Sequence, residues 1–504
     1  MMSSKLKHLD VIIFGATGDT GSAAVRLLYH FSEKLNIETW APCARNLQKL
    51  EKNVLAPLTL SGKGKGKGKG KGCNNWKTPI QADSSDLQSL VKMANQAKVV
   101  VACAGPYEKF GEQVIVACIL SGTHYVDVAG EVGWVNSMKI KYHNAAKIRG
   151  VCIVSFCGYD SVPMDLSAWL LANEVRENKD EITLIETFAT SDQKGGGGIP
   201  SGTINTVLLQ VNRLRYKFSF GLLGQAPPKK KTKQEQQQQQ QGIATLEQVK
   251  NNTIHVGGGA PLLTKRVKEN VARDASFNSK RFVSMLPIEK VWSTPHFMAQ
   301  INMPVVHATA EAEQFPNFQY HERALDGGRN AWQKAPTSYI NGYLLPTMST
   351  FFMYLLAAPF VMTPFFDSMV WWYVKNVNAQ GKKDETSDDE KKNKKDGLNL
   401  NAIQRLMNSG TNTGYVGVRG YGVGKNGTLV QSNFESDYDA GIGFTMLSAL
   451  TVAGCLLEKD NIAAGENAGF QTPVCAIGGN KLKHALNKAG VRVSIHRVSG
   501  GSKM

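Results

Sequence analysis

Residues 9–21 read Leu9-Asp-Val-Ile-Ile-Phe-Gly15-Ala-Thr-Gly18-Asp-Thr-Gly21, and this stretch decides the fold of the first part of the chain. The apolar run before Gly15 is typical of a fully buried parallel strand. Residues 22–31 then show the apolar spacing of an amphipathic helix. A buried strand, a glycine-rich turn and a helix in this order predict a dinucleotide-binding unit.

Each glycine in the turn has a mechanical role. Gly15 permits the tight turn, Gly18 lets the backbone approach a pyrophosphate, and Gly21 lets helix and strand pack closely. The pyrophosphate would lie at the helix N-terminus, where free N–H groups and the helix dipole favour anions. The hydroxyls of Thr17 and Thr20 would add donors there.

The end of the second predicted strand, residues 37–43, distinguishes between the two nicotinamide cofactors. An acidic residue at this place would bind the ribose hydroxyls of NAD, whereas an arginine accommodates the 2′-phosphate of NADP. The sequence here is Ala44-Arg45-Asn46, without an acid. We therefore predict NADP, with Arg45 on the 2′-phosphate and Asp83 also at the cofactor; a surface arginine without a ligand is the alternative.

Ala104-Gly105-Pro106-Tyr107 follows a further predicted strand at 99–104, and so lies at the sheet edge where ligands bind. Ala104, Gly105 and Pro106 would shape the loop under the nicotinamide. Tyr107 is a candidate hydrogen-bond donor to substrate, with a packing role as the alternative. Asp127, near the end of the next strand, is a candidate acid or base.

Other polar residues nearby are weaker candidates. His124, Tyr125 and Glu131 are further titratable groups near the fifth strand. We expect Asp160 to cap the helix that begins near Pro163. We expect no metal site.

Short apolar strands alternate with helices up to about residue 175 and then give way to a hairpin-rich pattern. We predict an α/β chain with a doubly wound parallel Rossmann sheet over 1–175 and a second α+β domain over 176–342 and 398–504. Strands are expected at 182–190 and in the region 297–310. A hairpin is expected from 415–423 and 428–433, with a helix at 443–457.

Several segments fit neither domain. The Gly-Lys repeat at 62–72, the low-complexity stretch at 225–242 and the charged stretch at 380–397 are expected to be surface loops or linkers. Residues 343–374 are strongly apolar but contain prolines. They are interpreted either as a buried helical hairpin or as a shallow membrane-associating hairpin.

The net charge of +17 over 504 residues depends mostly on nine lysines in the Gly-Lys and Gln-rich insertions. No basic helix with base-reading spacing stands out in the rest of the chain, so we do not expect nucleic-acid binding. The remaining positive charge fits an anionic cofactor or an acidic membrane surface. The eight cysteines form no CxxC pair, and no signal peptide is evident at the N-terminus. We expect a protein that is not secreted, on the cytoplasmic side of a membrane or lipid droplet, either peripheral or monotopic.

These motifs resemble the saccharopine dehydrogenase-like oxidoreductases. The resemblance is dense over 9–205 and looser over 410–498, and it rests on the following stretches: Gly15–Gly21, Cys43–Asn46, Ala104–Tyr107 with Gly111-Glu112, Gly122–Asp127 with Gly130-Glu131, Gly158–Pro163 with Asp165, Gly197–Thr203, and Thr472-Pro473. It implies an NAD(P) domain and an α+β domain whose C-terminal tail can return to the first.

The resemblance extends to bacterial trans-acting enoyl reductases of glycolipid synthesis. Saccharopine enzymes proper need cationic and anionic contacts for several carboxylates, and no such set is evident in residues 180–340. The apolar segment instead suits a lipid-like substrate, so an NADPH-dependent enoyl or carbonyl reductase in lipid or glycolipid metabolism is the leading hypothesis. The alternatives are a soluble oxidoreductase of an amino-acid-derived or other small-molecule substrate and a non-catalytic cofactor-binding scaffold. A homodimer is compatible with each.

Overall fold

The computed structural model describes residues 7–61, 76–192, 257–280, 284–285, 292–296, 298–325, 414–458 and 468–498. Several segments singled out in the sequence lie outside the described residues: the Gly-Lys loop at 62–72, the glycine-rich motif at 197–203, and the stretches 225–242, 343–374 and 380–397.

The first sheet has seven parallel strands in the order β13-β6-β5-β4-β1-β2-β3. Six of them give the 3-2-1-4-5-6 order of a Rossmann fold, as the sequence predicts. Numbered along the chain, the strands are β1 (Leu9–Phe14), β2 (Trp40–Ala44), β3 (Ile80–Gln81), β4 (Ala97–Ala102), β5 (His124–Asp127), β6 (Cys152–Val154) and β13 (Gly469–Gln471).

Helices cover both faces of this sheet because alternate strand residues point to opposite sides. Ile12 and Val100 pack in a core with α4, α5 and α6, whereas Val11 and Val99 pack in a core with α1 and α10. The helices are α1 (Asp19–Phe31), α2 (Leu47–Leu50), α3 (Ala56–Ser61), α4 (Leu87–Ala94), α5 (Tyr107–Ser121), α6 (Val132–Ile148) and α10 (Thr445–Leu456).

The second sheet is mixed and has the order β14-β12-β11-β7-β10-β9-β8. β7 pairs in parallel with β10 and antiparallel with β11, and β11 forms the predicted hairpin with β12. The strands are β7 (Ile182–Asp192), β8 (Ser284–Met285), β9 (Trp292–Pro295), β10 (Gln319–Ala324), β11 (Tyr415–Gly424), β12 (Leu429–Ser436) and β14 (Arg492–Arg497). The predicted pairing of a Rossmann sheet with an α+β unit is confirmed.

Helix α7 (Val162–Glu177) joins the two sheets and packs on the second. Two glycines of β11 make room for it, since a Cβ on Gly420 or Gly422 would lie 2.8 or 3.1 Å from Leu171. The remaining helices are α8 (Lys265–Lys280), α9 (Ala299–Ala312), α11 (Pro473–Ile477) and α12 (Gly479–Lys488).

The strand expected in the region 297–310 is wrong, because Ala299–Ala312 form α9. Every residue from Asn302 to Val306 is buried, and Pro304 lies inside the helix. A helix buried on all sides shows no 3.6-residue apolar period, and its β-branched residues favour a strand on propensity alone.

The C-terminal part of the chain returns to the first sheet. Helix α10 packs against α1, β4 and β5, and β13 pairs in parallel with β6. A buried hydroxyl pair secures this return: Thr309 Oγ1 on α9 donates to Asp165 Oδ2 on α7 at 3.0 Å and lies 2.7 Å from Thr472 Oγ1, just before α11. Burial raises the pKa of Asp165 to about 8.

Among the described residues, no helix combines the length and the apolar character that crossing a bilayer requires. The seven cysteines in this part of the chain are free thiols.

Candidate functional site

The loop between β1 and α1 has the geometry that its glycines predict. Gly15 has a φ of +84°, in the left-handed region that favours glycine, and a Cβ there would lie 3.0 Å from Cβ of Ala104. A Cβ on Gly21 would lie 2.2 Å from the carbonyl oxygen of Gly15, so a side chain would push α1 away from the loop. The packing of the protein itself therefore requires Gly15 and Gly21.

Gly18 differs, because no neighbouring atom in the described chain crowds it. A Cβ there would lie 3.5 Å from the carbonyl oxygen of Gly15, and φ −80°, ψ 170° suit any residue. Gly18 is exposed, and α1 begins there without a side-chain cap. Such a helix end presents N–H groups and the positive end of its dipole to an anion. The open space at Gly18 fits a pyrophosphate, with Thr17 and Thr20 beside it.

Arg45 stands next to this loop, directly after β2. The backbone N–H groups of Gly15 and Ala16 both donate to the Cys43 carbonyl at 3.0 Å, which ties the loop to the end of β2. The Arg45 side chain is 79% exposed, and its Nε lies 3.9 Å from Oδ2 of Asp83. An ion pair this open contributes little stability. Arg45 can therefore turn to a 2′-phosphate, with Asp83 beside it.

The segment Ala104–Pro106 follows β4 at the same edge of the sheet. Its backbone contains a cis bond between Gly105 and Pro106. Tyr107 begins α5 and is only 6% exposed. Its hydroxyl donates to the Ala102 carbonyl at 2.9 Å and accepts from the N–H of Val128 at 3.4 Å. The tyrosine thus links the ends of β4 and β5, which agrees with the packing alternative.

Asp127, the last residue of β5, is fully buried. Its Oδ1 accepts from the N–H of Ala129 at 3.0 Å, and its Oδ2 accepts from the Ser155 hydroxyl at 3.1 Å. Burial raises the pKa of Asp127 to about 7, although these hydrogen bonds act in the opposite direction. The carboxyl can exchange a proton near neutral pH, but it lies inside the packed edge of the sheet.

The other titratable candidates near β5, His124 and Glu131, do not lie together. His124 begins β5, at the far edge, and its Nδ1 accepts from the N–H of Cys152 at 3.0 Å. Burial lowers the pKa of His124 to about 4. The Glu131 carboxylate accepts from the N–H groups of Tyr107 and Glu108, and so caps α5.

The cap predicted for Asp160 is wrong. Helix α7 has Ser161 at its N-cap and no side-chain cap hydrogen bond. Asp160 instead lies close enough to His296 and Glu322 for their charges to act on it. Burial raises the pKa of Asp160 to about 6, with His296 opposing the shift and Glu322 adding to it.

Sequence reasoning missed the group of polar residues that Asp160 joins, which we call the His296 cluster: Asp160, His296, Asn302, Tyr320 and Glu322. Nδ1 of His296 lies 2.5 Å from Oε1 of Glu322, and the same oxygen accepts from Nδ2 of Asn302 at 2.7 Å. The Tyr320 hydroxyl donates to the other carboxylate oxygen at 3.0 Å. Glu322 and Asn302 are both fully buried.

The His296 cluster lies at the carboxyl edge of the Rossmann sheet. Asp160 follows β6, and Ile301 in the first turn of α9 approaches Gly130 after β5, where a Cβ would be 3.2 Å from its Cδ1. The available signal was the sequence His321-Glu322-Arg323 inside a strand, since buried charges need partners. Among the described residues, no group of His, Cys, Asp and Glu side chains is arranged to hold a metal ion.

Comparison with known proteins identifies a related family for the part of the chain that forms the first sheet. Residues 11–154 match the family described as Saccharopine dehydrogenase NADP binding domain. This part of the chain is therefore similar to the saccharopine dehydrogenase-like oxidoreductases. Strands β1 to β6 of the first sheet lie almost wholly within the matched residues and form an NADP-binding domain.

Three relatives show how far the similarity to saccharopine dehydrogenase-like oxidoreductases extends. A Caenorhabditis elegans protein named "Lipid droplet localized protein" is 34% identical over 204 residues, 40% of this chain and 45% of that protein. The mouse saccharopine dehydrogenase-like oxidoreductase is 32% identical over 192 residues, 38% of this chain and 42% of the relative.

The third relative is a Mycobacterium tuberculosis protein that is named as a candidate trans-acting enoyl reductase. It is 32% identical over 208 residues, 41% of this chain and 45% of that protein. Each match spans less than half the length of the relative.

Proposed function

We propose that this chain is an NADPH-dependent reductase of an enoyl or carbonyl group in a lipid-linked substrate, working at a membrane or lipid-droplet surface. The observation that carries the proposal is the open, uncapped helix end at Gly18 with Arg45 beside it. This pair suits a dinucleotide with a 2′-phosphate. Bound NADPH supplies a hydride.

The lipid part of the proposal draws on the relatives. One is named for lipid droplets and another for enoyl reduction. The apolar segment at 343–374 supports the same reading by composition. Tyr107 and Asp127 are the acid–base groups that the sequence suggests. Their enclosure favours a part in shaping the sheet edge over direct contact with substrate.

That enclosure also supports a second candidate, a cofactor-binding scaffold without catalysis. Neither of the two predicted acid–base groups opens to the surface, since Tyr107 is 6% and Asp127 0% exposed. A scaffold would bind NADPH without oxidising it.

The test has two stages on the full chain. Nicotinamide fluorescence is first followed during titration with NADPH and with NADH, and saturable binding with a preference for NADPH is expected. NADPH oxidation is then measured with a long-chain trans-2-enoyl thioester in phosphatidylcholine vesicles, and NADP⁺ reduction is measured with saccharopine. Oxidation with the thioester supports the lipid reductase, and turnover of saccharopine supports the soluble alternative. Binding without either reaction favours the scaffold, and the absence of binding by folded protein overturns the proposal.

A further inference from the structure

We propose that Glu131 is a positioning residue for the nicotinamide half of the cofactor, because it holds the loop at Ala104–Pro106 in place from the next strand of the sheet. The inference rests on the proposed function only in that the chain binds NADPH. It gives a role in cofactor binding to a residue outside the glycine loop and outside the nicotinamide loop, and it does not depend on which substrate is reduced.

The loop at Ala104–Pro106 lies directly beside the glycine loop. A Cβ on Gly15 would be 3.0 Å from both N and Cβ of Ala104. Ala104 and Gly105 are partly exposed, and the nearest atoms to a Cβ on Gly105, beyond its chain neighbours, would be those of the Tyr107 ring at 3.8 and 4.0 Å. A dinucleotide that begins at the N-terminus of α1 therefore has space for its nicotinamide end beside this loop.

Helix α5 begins immediately after the loop, and Glu131 binds its first two N–H groups. The carboxylate accepts from the N–H of Tyr107 at 3.0 Å through Oε1 and from the N–H of Glu108 at 2.7 Å through Oε2. The next two N–H groups of α5 donate to the Pro106 carbonyl. The first four N–H groups, which a helix leaves unpaired, are thus all satisfied within the protein.

The two helix starts at this edge therefore have different functions. The start of α1 at Gly18 has no side-chain cap and is open to an anion. At the start of α5 the Glu131 carboxylate already occupies the place that a phosphate would take. We infer that α1 receives the pyrophosphate, whereas the start of α5 fixes the shape of the loop before it.

The first turn of α6 holds the start of α5 from a second direction. Glu131 directly precedes α6, and Trp134 in its first turn packs on Tyr107 with 5.9 Å between the ring centroids. A Cβ on Gly111 would lie 2.6 Å from the Trp134 ring, so the indole is in direct contact with α5. The position of the loop at Ala104–Pro106 is therefore set by residues that follow β5.

The expected effect of removing the carboxylate is a loop that is in place only part of the time. Glu131→Ala leaves the N–H groups of Tyr107 and Glu108 without this acceptor. Affinity for a ligand falls in proportion to the fraction of the protein that is competent to bind it. A loop that is in place about one-tenth of the time would raise the Kd for NADPH about 10-fold.

The experiment compares the whole cofactor with its adenine half. Adenosine 2′,5′-bisphosphate carries the 2′-phosphate but no nicotinamide, so its binding reports on the glycine loop and Arg45 alone. For Glu131→Ala we expect the Kd for NADPH to rise about 10-fold, whereas the Kd for the bisphosphate stays within about twofold of wild type. Nicotinamide fluorescence measures the first constant and isothermal titration calorimetry the second.

The matched control is Asp439→Ala, which removes a carboxylate of the same kind. Oδ1 of Asp439 accepts from the N–H of Ile442 at 2.9 Å, and Oδ2 accepts from the N–H of Gly443 at 3.0 Å. Asp439 is 9% exposed and Glu131 is 8% exposed. The control should lower the melting temperature to a similar extent and leave both dissociation constants unchanged.

A second variant, Glu131→Gln, retains one acceptor oxygen for the two N–H groups. We expect it to raise the Kd for NADPH about 3-fold, between wild type and Glu131→Ala, again without an effect on the bisphosphate. It decides the question if thermal unfolding shows that Glu131→Ala is not folded.

The outcomes separate the two proposals. If folded wild-type protein binds neither NADPH nor the bisphosphate, the proposed function fails and this inference fails with it. If the wild-type protein binds NADPH but reduces no substrate, the proposed reductase fails, and a selective loss of NADPH affinity in Glu131→Ala still supports the inference. If the folded Glu131 variants keep the wild-type Kd for NADPH, or lose affinity for both ligands equally, Glu131 is only a helix cap and the proposed function survives.

Discussion

Replacing Gly18 with alanine separates the two kinds of glycine in the nucleotide loop. The protein itself tolerates a methyl group there, because its nearest neighbour would be 3.5 Å away and the backbone φ is −80°. We therefore expect Gly18→Ala to leave the melting temperature within about 2 °C of wild type, since it breaks no contact. A pyrophosphate lying on the backbone would lose its close approach.

The expected loss of affinity follows from one hydrogen bond to a charged group. Such a bond contributes about 1.5–3 kcal/mol, which corresponds to a rise in the Kd for NADPH of about 10- to 100-fold. Fluorescence titration of NADPH measures this directly. The matched control is Gly133→Ala in α6, where a Cβ would have no atom within 4 Å, and its Kd should be unchanged. A Kd for Gly18→Ala within about twofold of wild type would refute a pyrophosphate at this loop.

Three further predictions follow from other residues. Gly21→Ala should lower the melting temperature sharply or prevent folding, because its Cβ would lie 2.2 Å from a backbone oxygen; a wild-type melting curve would contradict this. Arg45→Ala should weaken NADPH binding roughly 10-fold and leave NADH binding unchanged, and an unaltered preference would remove Arg45 from the 2′-phosphate. In the folded protein, burial raises the pKa of Asp165 to about 8, so the native state keeps a proton that the unfolded chain loses above about pH 4. Wild-type unfolding free energy should therefore fall between pH 4 and 8 by up to about 1.4 kcal/mol per pH unit, and denaturant curves of Asp165→Asn should show a flatter slope; equal slopes would exclude Asp165.

The nucleotide half of the site could be predicted from sequence because its signals are local. A buried strand, three glycines and a helix follow one another within residues 9–31, and their spacing carries the geometry. Arg45 needed only the end of the next strand. The residue roles at this site remain predictions for the experiments above.

The His296 cluster could not be predicted from sequence because its residues meet only through the fold. His296 and Glu322 come from different elements, and Asp160 joins them from 136 positions before His296. Asp160 also had a plausible local explanation as a helix cap, which the structure replaces with an electrostatic interaction with His296 and Glu322. Helix α9, which begins next to His296, was itself mistaken for a strand region.

The return of β13 to the Rossmann sheet has a consequence for biosynthesis. The sheet that holds the glycine loop is finished by residues 469–471, and α10 from 445–456 covers one of its faces. A ribosome makes these residues only after every other strand of the first sheet. Until then, the early strands expose an apolar face that residues 445–456 later cover. The cofactor domain therefore matures together with the whole chain, and an expression fragment ending near residue 175 would carry that uncovered face into solution.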